Sequence, residues 1–362
     1  MPGVSLGGSY TSDWSRVARG GLRRHRSTYR SLIDVHIEIE LGEMLGAAPG
    51  SWERGATVFL DAYVQAGRDG SQDVGDNQAY SNIDSPNTRQ LAELWYEQRF
   101  FDDLFRTKIG KADANNEFNL LASNGDFLHS SATLTPTIVG MPSYPDPAMS
   151  VSVFCETECF FFGVGLFDGA SADGVGTGRR GPSTFFNDRR SSSYFCIVEF
   201  GGAWCGGRAA LGAWHHTADF ARFDGGRESG TEGYYLQVEQ RVWRERPTDE
   251  VDEQGLRGFL VFSRADGEVS EFEGHAEVGL TYTGAIPGRD FDVTGLLITR
   301  ADLTEATSAG FASDETAIEW FYKVQVTQAL SITPDLQFIS HPSGSRGVED
   351  AWVGSLRFVL TF

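Results

Sequence analysis

Along most of this chain, apolar side chains fall on every second position. In 32–41, Ile33, Val35, Ile37, Ile39 and Leu41 alternate with Asp34, His36, Glu38 and Glu40. Tyr234, Leu236, Val238 and Val242 alternate with Tyr235, Gln237, Glu239 and Arg241, and Ile318, Trp320, Tyr322 and Val324 with Glu319, Lys323 and Gln325. The last segment places Trp352, Leu356, Phe358, Leu360 and Phe362 on one face. A period of two is the signature of a strand with unlike faces. No helical period competes with it.

The pattern predicts strands near 2–10, 31–41, 56–66, 91–100, 104–112, 149–155, 159–167, 193–200, 206–215, 233–242, 256–264, 274–282, 293–300, 315–326, 330–339 and 351–362. Alternation alone does not say which face is wet, since a soluble sandwich also reads apolar-in and polar-out. The connections discriminate. Long links at 11–30, 67–90, 113–148 and 168–192 alternate with short ones at 101–103, 156–158, 201–205 and 327–329, although 42–55 and 243–255 break the rule. Short turns at one rim and long loops at the other belong to a membrane barrel, as do even strand number and lengths near the roughly 9–11 residues of a tilted crossing. Trp214, Trp243, Trp320, Tyr322 and Trp352 lie towards strand ends, where interfacial aromatics are expected. The predicted fold is all-β: one sixteen-stranded antiparallel transmembrane β-barrel over 1–362, with long external loops and short periplasmic turns.

Composition sharpens this. Apolar residues are 40% of the chain, and no run approaches the roughly 18 needed for a membrane helix. Forty-three glycines and 12% aromatics suit many strands and turns. A net charge of −20 disfavours nucleic acid as partner. The opening Met1-Pro2-Gly3-Val4 has no signal-peptide character, so the expectation is a truncated start or a mature form with an added Met.

The stretch from Leu94 to Phe100, Leu-Trp-Tyr-Glu-Gln-Arg-Phe, followed by Ile109-Gly110-Lys111 and an acidic stretch closing on Glu117-Phe118, resembles the carbohydrate-selective porin family. Gly207–Trp214, Gly288-Arg289-Asp290, Glu319–Tyr322 and Thr333–Ile339 resemble it too. The resemblance implies an outer-membrane channel of a Gram-negative-type bacterium for passive diffusion of carbohydrates and other small polar solutes. It also implies inward-folded loops and a terminal Phe362 read by the barrel-assembly machinery. Arg23-Arg24-His25-Arg26 and 168–192 depart from the family pattern.

A sugar pore needs a narrowing, apolar surface for the pyranose face, and polar groups for its hydroxyls. With Leu94 and Tyr96 towards lipid, Glu93, Trp95, Glu97 and Arg99 face the lumen. On the next strand Arg106 and Lys108 face inward, and Lys111 does so given a bulge near Gly110. The 113–148 link, a candidate constriction loop, adds Asp113, Asn115, Asn116, Glu117 and Phe118. The arginines at 16, 19, 23, 24, 26 and 30 make a basic first loop suited to lipopolysaccharide phosphates. Cys155 with Cys159, and Cys196 with Cys205, straddle turns and are disulfide candidates. No catalytic motif, metal spacing or cofactor loop stands out, so neither enzyme activity nor a cofactor is expected, and a homo-oligomer is left open. The rivals are a soluble or surface all-β carbohydrate-binding module and a barrel enzyme acting on lipid.

Overall fold

The computed structural model describes residues 2–48, 50–84, 86–178, 180–185, 193–246 and 252–362. It contains β1 (Val4–Arg19), β2 (Ser27–Glu40), β3 (Ala56–Gly67), β4 (Thr88–Phe100), β5 (Phe105–Ala112), β6 (Ala148–Glu156), β7 (Phe160–Asp168) and β8 (Tyr194–Trp204). These are followed by β9 (Gly207–Ala221), β10 (Arg227–Arg244), β11 (Gly255–Ala265), β12 (Phe272–Thr283), β13 (Val293–Leu303), β14 (Glu315–Gln325), β15 (Leu330–Ser340) and β16 (Ala351–Thr361). Each strand pairs with its sequence neighbours, and β16 pairs antiparallel with β1, so the sheet closes. Closure leaves no sheet edge, which is what lets strands cross lipid. Among the described residues no helix is long and apolar enough to cross a membrane.

Every expected strand coincides with an observed one, but β1 runs to Arg19, β2 begins at Ser27, and β9 and β10 extend to Ala221 and from Arg227, all beyond what the pattern showed. The first two stay in register from Val4↔Ile39 to Arg16↔Ser27, so their connection is 20–26 rather than 11–30. The inward phase of this barrel is polar, and a polar strand end reads like a loop. Arg30 accordingly lies on a strand, fully buried, with Nε 2.6 Å from Asp84. Only Arg23, Arg24 and Arg26 of the expected basic loop remain in it, and Arg24 pairs with Glu349 at 2.6 Å.

The outward phase is apolar: Leu94, Ile109, Val164, Leu260, Val278, Leu296 and Ile318 are all exposed. Trp243, Trp320 and Trp352 join this surface, but Trp214 is turned inward and buried. Phe362 exchanges backbone hydrogen bonds of 3.0 Å with Gly8 in both directions, and its ring is exposed.

All four cysteines are free thiols. The turn after β6 pairs Glu156 with Phe161, which puts Cys155 opposite Phe162 and leaves Cys159 in the turn. Cys196 faces His215 near the start of β8, whereas Cys205 sits at the turn beyond Trp204. Nine residues of strand, about 30 Å, separate two Cα atoms that a disulfide needs within about 7 Å.

The apolar cores lie inside the barrel, between the wall and two inward-folded connections. Loop 113–147 packs Phe118 and Ile138 against Phe154, Phe167, Phe195, Ile197, Trp214 and Tyr235, and Leu121 and Phe127 against Phe259, Leu297 and Phe321. Connection 68–87 packs Val74 and Tyr80 against Val17, Ile339, Ala351 and Val353. Several wall rings stand directly opposite glycine: Tyr235↔Gly212, Phe259↔Gly279 and Phe321↔Gly295. A Cβ at these glycines would fall 2.0, 2.2 and 2.4 Å from the ring, so each ring lies flat along the wall.

Candidate functional site

The residues singled out on β4 and β5 meet because the two strands are in unbroken register, with Glu97 opposite Lys108 and Arg99 opposite Arg106. Residues directly opposite share a face. Arg106 Nη1 lies 3.0 Å from Glu97 and 2.9 Å from Glu117, and its Nη2 lies 3.0 Å from Glu156. The guanidinium also stacks 3.9 Å over the Phe154 ring. Lys108 donates to Glu117, lies 3.7 Å from Glu97, and sits 3.6 Å over the Trp95 ring. Arg99 Nε donates to Glu97 at 3.1 Å. Three cations therefore face three carboxylates; Glu97, Arg106, Lys108 and Glu117 are largely covered and need this pairing, whereas Arg99 and Glu156 reach into solvent.

Glu93 holds the start of loop 113–147. One of its oxygens accepts from Asn116 at 2.7 Å, the other from the Asp113 backbone at 3.0 Å and Trp95 Nε1 at 3.1 Å. Asp113 in turn accepts from the backbone amides of Asn115 and Tyr144, each at 2.8 Å. Burial, with Glu93 nearby, pushes the Asp113 carboxyl up to about 7. The Asn115 side chain donates to the Phe118 carbonyl, and Phe118 is packed away between the rings of Phe154 and Phe167.

Lys111 does not join this cluster. The register runs through Gly110 without a shift, so Lys111 pairs with outward-facing Leu94 and with Met149. Its ammonium is covered by the carbonyls of Leu91 and Gly178, in a pocket of about 510 Å³ on the outer face.

The pattern of the chain did not single out the groups that hold the far end of the loop. Glu199 on β8 accepts from the Asn119 amide at 3.0 Å and Tyr235 at 2.6 Å. Glu239 on β10 accepts from the Ser123 amide and hydroxyl at 3.0 and 2.7 Å. Glu319 on β14 accepts from the amides of Leu128 and His129 at 2.6 and 3.0 Å. Burial drives His129 down to about 3, so it is neutral in that seat. Glu315 does the same for the other connection, accepting from Asn77 and Gln78 at 2.9 Å each. These glutamates are inward members of the strand alternation, readable as lining; their loop partners lie up to 238 residues away. The two connections also touch, through Asn82 to the Leu128 and Phe127 carbonyls and Ser131 to Gln78.

The loop thus leaves β5, crosses the barrel, and is fastened to β8, β10, β11 and β14. In a ring of sixteen strands β3 stands opposite β11. The inward faces of β2–β4 remain in front of the loop, where Asp34 and His36 keep 32% and 38% of their side-chain surface exposed.

A family model described as carbohydrate-selective porin, OprB family, matches residues 25–362. The chain belongs to that family. The matched span holds the β4–β5 cluster, the crossing loop and all four loop-fastening glutamates. Among solved structures, the high-pH structure of Pseudomonas putida OprB superposes with a TM-score of 0.86 at 20% identity, over 99% of this OprB-family chain and 94% of that one. The low-pH structure of the same protein gives 0.65 at 19% identity, over 99% and 93%. The Vibrio cholerae OmpT loop L8 deletion mutant gives 0.57 at 9% identity, over 100% and 99%. An uncharacterized Nostoc protein is 28% identical over 120 residues, so the match spans 32% of this chain but only 20% of that relative's length.

Proposed function

We propose that this OprB-family chain is a Gram-negative outer-membrane channel for passive diffusion of carbohydrates and other small polar solutes. Its narrowing lies between loop 113–147 and the inward faces of β2–β5. The observation that carries this reading is the loop itself, crossing the barrel to Glu199, Glu239 and Glu319 in front of the Arg106–Lys108 cluster. A folded loop inside a closed wall narrows the bore without filling it, and aimed charges beside the Trp95 ring suit a solute with a hydroxylated rim and an apolar face. Binding of this kind is weak enough for release, as conduction requires.

Glu93, Trp95, Glu97, Arg99, Arg106, Lys108, Asn116 and Glu117 are the proposed lining. Asp113, Asn115 and Phe118 hold the loop in place. The belt of exposed apolar side chains favours lipid over water around the barrel, which weighs against a soluble binding module. Proposed partners are sugars, outer-membrane lipids including lipopolysaccharide, and the assembly machinery that inserts barrels, with Phe362 as its signal.

The test is planar-bilayer conductance titrated with a panel of sugars. Ohmic current, reduced in a saturable way by some sugars and not others, is expected. Full conductance without sugar block would leave a general pore. Phospholipid turnover by the purified chain would favour a barrel enzyme.

A further inference from the structure

We infer that Asp34, His36 and Asp61 form a binding site for a divalent transition-metal ion on the lumen wall. Asp34 and His36 are two residues apart on β2 and therefore share its inward face. Asp61 on β3 stands directly opposite His36. One ligand atom from each lies within 4.8 Å of the other two, and His36 Nδ1 is already 3.6 Å from Asp34 Oδ1. Ligands at about 2.0–2.2 Å from a tetrahedral zinc-like ion stand roughly 3.3–3.6 Å apart, so the site closes when the side chains draw together by about an ångström.

The independent mark of a missing partner is Asp61. It is only 6% exposed, and its Oδ1 has no hydrogen-bond partner. Among the described residues no lysine or arginine pairs with Asp34 or Asp61. Glu93, opposite Asp61 on β4, adds a further carboxylate rather than relief. Asp34 and Asp61 stand close enough to share a proton, a place that a metal ion would take over with His36 as its nitrogen ligand.

The histidine is held ready. Its ring stacks on Phe59 at 5.5 Å and 26°, and it lies over Gly7, where a Cβ would fall 2.6 Å from Nε2. That fixes Nδ1 towards the carboxylates. One nitrogen and two oxygens, with room for water on the open lumen side, suit zinc, cobalt or nickel better than calcium, which takes six or more oxygens.

The test uses the full barrel purified in detergent. Calorimetric titration with ZnCl2 should show one site that weakens by at least about tenfold in His36→Ala and in Asp61→Asn, with CaCl2 much weaker. CoCl2 added to the unaltered protein should develop the visible absorption of low-coordinate, nitrogen-ligated cobalt, a readout needing no variant. Zinc affinity unchanged in both variants, or calcium binding as tightly as zinc with no loss in His36→Ala, would overturn the site. So would a cobalt spectrum indistinguishable from the hexaaquo ion.

Discussion

Arg357 and Asp13 close the barrel with a two-pronged ion pair across the seam between its last and first strands. Arg357 Nε lies 2.7 Å from Asp13 Oδ1 and Nη2 2.8 Å from Oδ2, and Asp13 is fully buried. Ser81 and Asn82 complete the set, the one donating to Asp13 and the other accepting from Arg357, each at 2.7 Å. Connection 68–87 therefore rests on the closed seam.

Asp13→Ala leaves a buried guanidinium without its counter-charge and should destabilise the barrel by about 3–5 kcal/mol. Urea unfolding followed by heat-modifiable gel mobility reads this directly. Asp13→Leu combined with Arg357→Met should lose clearly less. A double variant as unstable as the single would show that the pair's charge is not the issue.

The outward phase should reject charge. Val278 lies midway along its strand, 48% exposed among Leu260 and Ile298. Val278→Arg should cost roughly 2–4 kcal/mol in a lipid-folding assay. Insertion as efficient as the parent would reverse the face assignment.

Release of the crossing loop should widen the bore. Replacing Glu199, Glu239 and Glu319 together by alanine removes the acceptors for buried loop amides, each worth about 1–3 kcal/mol when left unpaired. Higher single-channel conductance with weaker discrimination among sugars is expected. Conductance at the parental value would mean that the apolar packing alone holds the loop.

The near-wall cluster is balanced, so removing two of its three cations unbalances it. Arg106→Gln with Lys108→Gln should move the reversal potential in a salt gradient towards cation selectivity and weaken sugar block. An unmoved reversal potential would place the selectivity-determining charges elsewhere in the lumen.

Burial and the Glu315 carboxylate push Asp76 up to about 8, from an ordinary value of 3.8. Folded connection 68–87 then keeps a proton that the released chain gives up. Its stability falls as pH rises from about 4 to about 8 and levels off beyond. Amide exchange at Asn77 and Gln78, corrected for base catalysis, should show that slope, and Asp76→Asn should flatten it. A flat parental profile would contradict the assignment.

The strands were legible because lipid imposes alternation on one face whatever the other face carries. The β4–β5 cluster was legible for the same reason, since charges cannot share the phase of Leu94 and Ile109. The charge of Lys111 suggests the wet side, whereas two backbone carbonyls cover it on the outer face. The aromatic character and strand-end position of Trp214 suggest the interfacial belt, yet the loop needs an apolar seat inside. The glutamates that fasten the loop were invisible in role: Glu319 reads as lining until Leu128 is known to lie 2.6 Å away. The free cysteines make the same point, since equal spacing about a guessed turn centre fails when the true centre is shifted.

The flattened rings behind the crossing loop have a consequence for solute choice. Tyr235, Phe259 and Phe321 lie between the wall and the loop, each lowered into a niche made by a glycine across the strand. How far forward the loop stands depends on how deep those rings sink. Adding one methyl group at Gly279 would lift the Phe259 ring and Phe127 above it, moving the loop towards β3. The calibre of the passage is therefore adjusted from behind its lining, at positions whose side chains are single hydrogen atoms and which no solute meets.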